Sequence, residues 1–236
     1  MKKIFTLYLI VLLSQIAHSQ PRFMPRNEVY KDSSLTDFVC KLQYAIYKRD
    51  KNFLLSVLHK NVWNSVSADF SGVDEFQKIW KLDRPNSDLW LYLSKMISLG
   101  GVFVDWDMDG NSTASFVFPY VADISLSSGD ADYYETIFVT GENVSIREKP
   151  DKSAKIVGKL SYDALNVYVE KSFPETDRVR IAGLPEGEKE WYFVSTFDRK
   201  VTGYVYWDYC WRAVDYRMYL NKINGQWKIV CLTAGD

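Results

Sequence analysis

Histidine is almost missing from this chain, and that scarcity excludes more chemistry than any other feature of the composition. There are two in 236 residues, His18 and His59. Activated thiols, hydroxyl nucleophiles and most zinc sites need imidazoles set around the reacting centre. Three cysteines (Cys40, Cys210 and Cys231) lie without metal-ligand spacing, and no motif surrounds any of them. The chain also lacks a phosphate-cradling glycine loop and a Gly-x-Ser-x-Gly elbow. These gaps predict a protein that is not an enzyme and carries no cofactor.

A basic stripe is missing too. Lysine and arginine total 29 against 30 acidic residues, for a formal net charge of −1, which argues against nucleic acid as a partner. No apolar run approaches the roughly twenty residues that span a bilayer. Ile4 to Leu13 is about half that length. It follows Lys2-Lys3 and precedes the small-x-small site Ala17-His-Ser19, the pattern of a secretory signal cleaved after Ser19. Its removal takes the net charge from −1 to −3 and leaves His59 as the sole imidazole. No cysteine follows closely, so no lipid anchor is indicated. The expected location is periplasmic or secreted. In such a compartment two readings of the odd cysteine count are open: buried free thiols, or a Cys210–Cys231 bridge.

What is abundant is aromatic residues, at 16%, which favours strands or an aromatic binding surface. Helices come first. Ser34-Leu-Thr-Asp37 has a capping form, and Leu35, Phe38, Val39, Leu42, Ala45 and Ile46 share a helical face. Asp50 caps a second helix carrying Leu54, Leu55, Val57 and Leu58, with His59 at its end. A third helix runs from about Asp74 to Trp80. Ser87 caps a fourth that buries Leu89, Trp90, Leu93, Met96 and Ile97 and stops at Gly100-Gly101. Two hairpins follow from two-residue turns. Asp109-Gly110 sets Phe103 opposite Phe116 and Trp106 opposite Thr113. Asn224-Gly225 sets Leu220 opposite Ile229 and Met218 opposite Cys231. The second hairpin is apolar on both faces and needs cover on both.

The middle of the chain alternates with period two. Val144 and Ile146, then Leu165, Val167 and Val169, then Trp191 to Val194 and Gly203 to Trp207 describe short strands of a small β-barrel, with Val157-Gly-Lys-Leu160 a fifth. Gly141, Asn143, Val144, Ile146, Arg147, Pro150, Ser153, Val157, Gly158, Leu160, Trp191, Gly203, Tyr204 and Val205 follow in order the pattern of the bacterial SH3 (SH3b) domain, which residues 137–211 resemble. Tyr162-Asp-Ala164 replaces a usual turn glycine, and Ser172 to Glu190 is a polar insert. The resemblance implies recognition of cell-wall peptide or an envelope protein, with no bond made or broken.

Phe38…Ala45-Ile-Tyr-Lys-Arg-Asp50 and Asn224-Gly-Gln-Trp-Lys-Ile229 resemble, over two short patterns, the cone-shaped α+β domains of the nuclear-transport-factor-like superfamily. The expected class is therefore α+β. The leader is residues 1–19, an α+β part is 20–133, and an SH3-like barrel is 134–212. The terminal hairpin, 213–236, either completes the first part around an inserted barrel or packs onto the barrel in tandem.

Two groups of candidate site residues stand out. Strand alternation places Tyr204 and Tyr206 opposite Val205, and Trp207 and Tyr209 extend that aromatic face. Such a face can hold an extended peptide, or it can pack against the helical part. Val205 and Trp191 are the expected barrel core. Asp105, Asp107 and Asp109, before Gly110, match the start of a calcium loop, but Phe116 stands where its bidentate glutamate belongs. Three acids at a solvated hairpin tip account for them more simply. The expected function is a non-catalytic binding or scaffolding module of the cell envelope. A small-ligand pocket or enzyme of the cone-shaped class is the alternative.

Overall fold

The computed structural model describes residues 22–64, 71–107, 110–126, 132–172 and 191–235. The expected leader and nearly all of the polar insert lie outside them. The first helix, α1 (Ser33–Lys48), starts ahead of the Ser34 motif. Its cap is Asp32, whose carboxylate accepts the Leu35 N–H at 3.0 Å. The same carboxylate accepts the Ser34 hydroxyl at 2.6 Å and the Lys222 ammonium at 2.8 Å. Leu35, Val39, Leu42, Ala45 and Ile46 form the buried stripe, as their spacing predicts.

Asp50 caps α2 (Lys51–Val57) through a 3.0 Å bond from the Phe53 N–H. That helix ends early, because Leu58 opens a strand, β1 (Leu58–Asn64). His59 therefore sits on a strand and not at a helix end. Its Nδ1 accepts the Asn61 N–H at 3.4 Å. Then come α3 (Val73–Ile79) and α4 (Leu89–Ser98). The Ser87 hydroxyl accepts the Leu89 N–H at 3.3 Å and donates to the Trp80 carbonyl. Gly100, at φ 80°, releases the chain from α4.

After β2 (Val102–Phe103) and β3 (Ser115–Phe118), residues 136–212 build a second sheet. Its elements are β4 (Thr136–Val139), β5 (Val144–Arg147), β6 (Ile156–Leu160), β7 (Ala164–Val167), the short α5 (Val169–Ser172), β8 (Trp191–Ser195), β9 (Thr202–Tyr206) and β10 (Cys210–Arg212). Hydrogen bonding links them in the order β10-β4-β7-β8-β9-β5-β6. The five expected strands are present, and β4 and β10 add two more. Ile137, Val139, Val144, Ile146, Leu165, Val167, Val194, Val205 and Cys210 form its own core. Tyr162 takes φ 59° where the glycine would stand, and the Asp163 carboxylate steadies that turn by accepting the Ser161 N–H at 2.6 Å.

The terminal hairpin, β11 (Arg217–Ile223) and β12 (Gln226–Thr233), closes the first sheet in the order β1-β12-β11-β3-β2. Asn224 and Gly225 have φ 50° and 77°, as a two-residue turn of this hand requires. Leu220 faces Ile229 as expected, but Met218 faces Leu232 and not Cys231. A β-bulge beside Leu220 inserts one extra residue in β12. Leu232 thereby joins Ile229 in the core, while Cys231 lies opposite Tyr219. In the other hairpin Phe103 does face Phe116, with ring centroids 5.0 Å apart. Pairing ends one residue further on, where the Val104 N–H donates to the Ser115 carbonyl at 3.1 Å. Trp106 turns onto the Tyr219 ring, 4.5 Å between centroids, and its carbonyl accepts the Asn221 amide at 3.2 Å, so no pair with Thr113 forms.

The class is α+β. Helix residues such as Leu42, Leu54, Leu93 and Met96 share one buried cluster with Phe116, Met218, Leu220 and Ile229 of the first sheet. Phe138, Ala164 and Trp211 reach into the same cluster from the second. The three thiols are free, which removes the Cys210–Cys231 bridge. Cys40 is exposed, contrary to the expectation of three buried thiols, while Cys210 and Cys231 are buried. No helix among the described residues is long and apolar enough to cross a membrane.

Candidate functional site

β8 and β9 run antiparallel, with Trp191 opposite Tyr206 and Phe193 opposite Tyr204. Val205 points inward and is fully buried, so Tyr204 and Tyr206 share the outer face as alternation requires. Trp191 belongs to that outer face as well. It is half-buried, outside the core of the second sheet, and meets the Tyr206 ring edge-on at 5.3 Å. The expectation of Trp191 as core is thus corrected. Trp191-Tyr-Phe-Val194 is apolar or aromatic at every position, so hydrophobicity alone hides which members face in.

The four aromatic candidates part company in space. Tyr204 stacks edge-on with Phe193 at 5.0 Å. Trp207 turns toward the helices, where the Lys95 ammonium of α4 lies 3.8 Å from its ring centroid and donates to its carbonyl at 2.7 Å. Packing against the helical part therefore accounts for Trp207. Tyr206 and Tyr209, 6.1 Å apart, stay together and with Trp191 make one wall of a groove of about 680 Å³.

The lining also includes Glu142 and Asn143 of the turn from β4 to β5, and Ser145 of β5. Asn143 adopts φ 53°, a left-handed conformation that asparagine tolerates better than most residues, and its N–H donates to Ser161 Oγ at 2.8 Å. β5 also contributes Arg147, whose guanidinium donates to the Ala154 carbonyl at 2.6 Å and so braces the β5–β6 loop. That loop carries Lys152. On its two sides the Asp151 carboxylate accepts both the N–H and the hydroxyl of Ser153, at 2.7 and 2.8 Å. These bonds hold the Asp151 carboxyl below the usual carboxylate range. The Lys152 ammonium comes to 4.6 Å from the Tyr206 ring centroid.

Glu142 and Asp208, both exposed on the groove's rim, make no side-chain hydrogen bond or ion pair among the described residues. Sequence reasoning did not single out Glu142, Lys152 or Asp208. No motif marks them, because their meeting depends on how β5, β6 and β9 pair. Asp105 and Asp107 are exposed, and Asp107 closes its loop by accepting the Ser112 N–H at 2.7 Å. Asp109 lies outside the described residues. Among the described residues no group of three acidic, cysteine or histidine side chains converges as a metal site. Compared with family models, curated proteins and solved structures, the chain matches none.

Proposed function

We propose that this is an exported, non-catalytic binding protein of the cell envelope, in which residues 134–212 act as an SH3b-type module inserted ahead of the terminal hairpin. The module docks an extended peptide, from the cell wall or from an envelope protein, along the Tyr206 groove. One observation carries this reading: Trp191, Tyr206 and Tyr209 line a groove on the face opposite the buried Val205. Rigid aromatic walls of this kind give peptides contact area at low side-chain entropy cost. The insertion is supported by the register of the strands that open and close the module, since Ile137 pairs with Arg212 and the chain leaves where it entered. A small-ligand site between helices and first sheet has less support. There Phe116, Leu220 and Ile229 lie fully or almost fully buried against the helices.

The test is co-sedimentation of the purified protein with peptidoglycan sacculi. Retention should fall severalfold in Tyr206→Ala, the order expected when an aromatic anchor is lost. Equal retention of both proteins would sink the proposal that this wall is the docking face.

A further inference from the structure

Four charged residues line the groove, and among the described residues the two cations have contacts while the two carboxylates do not. Arg147 is turned to its own loop by the bond to the Ala154 carbonyl, and Lys152 already lies against Tyr206. What remains for a ligand is the pair of unpartnered carboxylates, Glu142 and Asp208, beside an aromatic wall. An aromatic face attracts cations through its quadrupole, and nearby carboxylates add to that pull. The Lys152 contact shows in addition that an alkylammonium fits over the Tyr206 ring.

We propose that the groove selects a peptide bearing a primary ammonium, and that Lys152 is a built-in competitor holding the same place over Tyr206 in the protein alone. This rests on the reading of the groove as a peptide site and names the chemistry it selects. Lys152 is suited to yield. It is exposed, and its ring contact is of the weak, solvent-accessible kind. Its loop keeps its shape without the lysine side chain, because Arg147, Asp151 and Ser153 brace it.

Isothermal titration calorimetry with two probes tests this: an Nα-acetyl-Gly-Lys-Gly amide, and the same peptide acetylated on the lysine amine. The free-amine peptide should bind at least about tenfold tighter, a factor within reach of a cation–π contact reinforced by charge. Lys152→Ala should tighten that binding severalfold, and Glu142→Gln combined with Asp208→Asn should abolish the preference. Equal affinity for the two probes overturns the inference while leaving the peptide groove standing. Weaker binding by Lys152→Ala also overturns it, since the lysine would then be a ligand contact and not a competitor. If neither probe binds the wild type or Lys152→Ala, and sacculi are not retained, the inference and the peptide-groove reading fall together. Circular dichroism of each variant establishes that it is folded.

Discussion

The Lys95 ammonium sits 3.8 Å from the centroid of the Trp207 ring and donates to the Trp207 carbonyl at 2.7 Å. One side chain from α4 thus grips both the ring and the backbone of the turn that presents Tyr206, Asp208 and Tyr209. Trp211 lies in reach of the same ammonium, at 5.5 Å.

Lys95→Met keeps the aliphatic stem and removes the charge. It should cost about 1–2 kcal/mol in chemical denaturation, the usual range for a partly buried cation–π contact with a charge-assisted hydrogen bond. Peptide binding should weaken with it, because the groove's lip loses its anchor. Unchanged stability would mean that the turn is held by other contacts.

Asp32 holds the start of α1 and the end of β11 together, through Leu35 and Ser34 on one side and Lys222 on the other. The Lys222 bond first and the Ser34 bond next lower its carboxyl well below the usual range; burial opposes them, and the Leu35 N–H adds a smaller lowering. The group is therefore charged when folded at pH values where the unfolded chain has begun to bind a proton. Its contribution is complete above an unfolded value of about 3.9 and is lost progressively as pH falls from there through the lower folded value. Asp32→Ala should cost about 1–2 kcal/mol at neutral pH, by loss of the cap and the ion pair. The gap between wild type and variant should begin to narrow on acidification below about pH 5, and it closes only as pH falls through the much lower folded-state value. Urea titrations at a series of pH values measure it.

The thiols offer a chemical check on the packing. Burial pushes both the Cys210 and Cys231 thiols up to about 12, while Cys40 is exposed. A thiol-specific colorimetric reagent should modify Cys40 rapidly in the native protein and the other two only on unfolding. Reducing and non-reducing gels of fresh protein should match. A native Cys210–Cys231 crosslink would contradict both.

Excising residues 134–212 with a short linker should leave the first sheet folded, since β1, β12, β11, β3 and β2 pair among themselves. The melting temperature should nonetheless drop, because Phe138, Ala164 and Trp211 leave the larger core. Circular dichroism and thermal melts would read both effects. An insoluble product would argue for a tandem arrangement.

Much of this fold is written locally. The Asp50 cap, the Asn224-Gly225 turn, the Phe103–Phe116 pair and the α4 stripe each follow from chemistry within a few residues. Features that depend on distant partners were not legible. Leu54 and Leu58 keep helical spacing, yet the helix stops at Val57, because Leu58 pairs with Ile229 across the sheet. The bulge in β12 has no glycine or proline to announce it, and one unsignalled residue reverses which of Cys231 and Leu232 faces the core. The aromatic face was legible as a composition, but its division was not. Only the approach of Lys95 from another element separates Trp207 from Tyr206.

The pairing of Ile137 with Arg212 has a consequence for the order of assembly. Phe118 and Met218 are neighbours in the first sheet although a hundred positions separate them along the chain. Closing so long a loop directly is entropically slow. Once the strand that opens the central unit meets the strand that closes it, most of that separation is bridged. The two halves of the outer sheet are then joined by an effective tether of only a few tens of residues. Early pairing of those two strands should therefore speed the closing of the outer sheet.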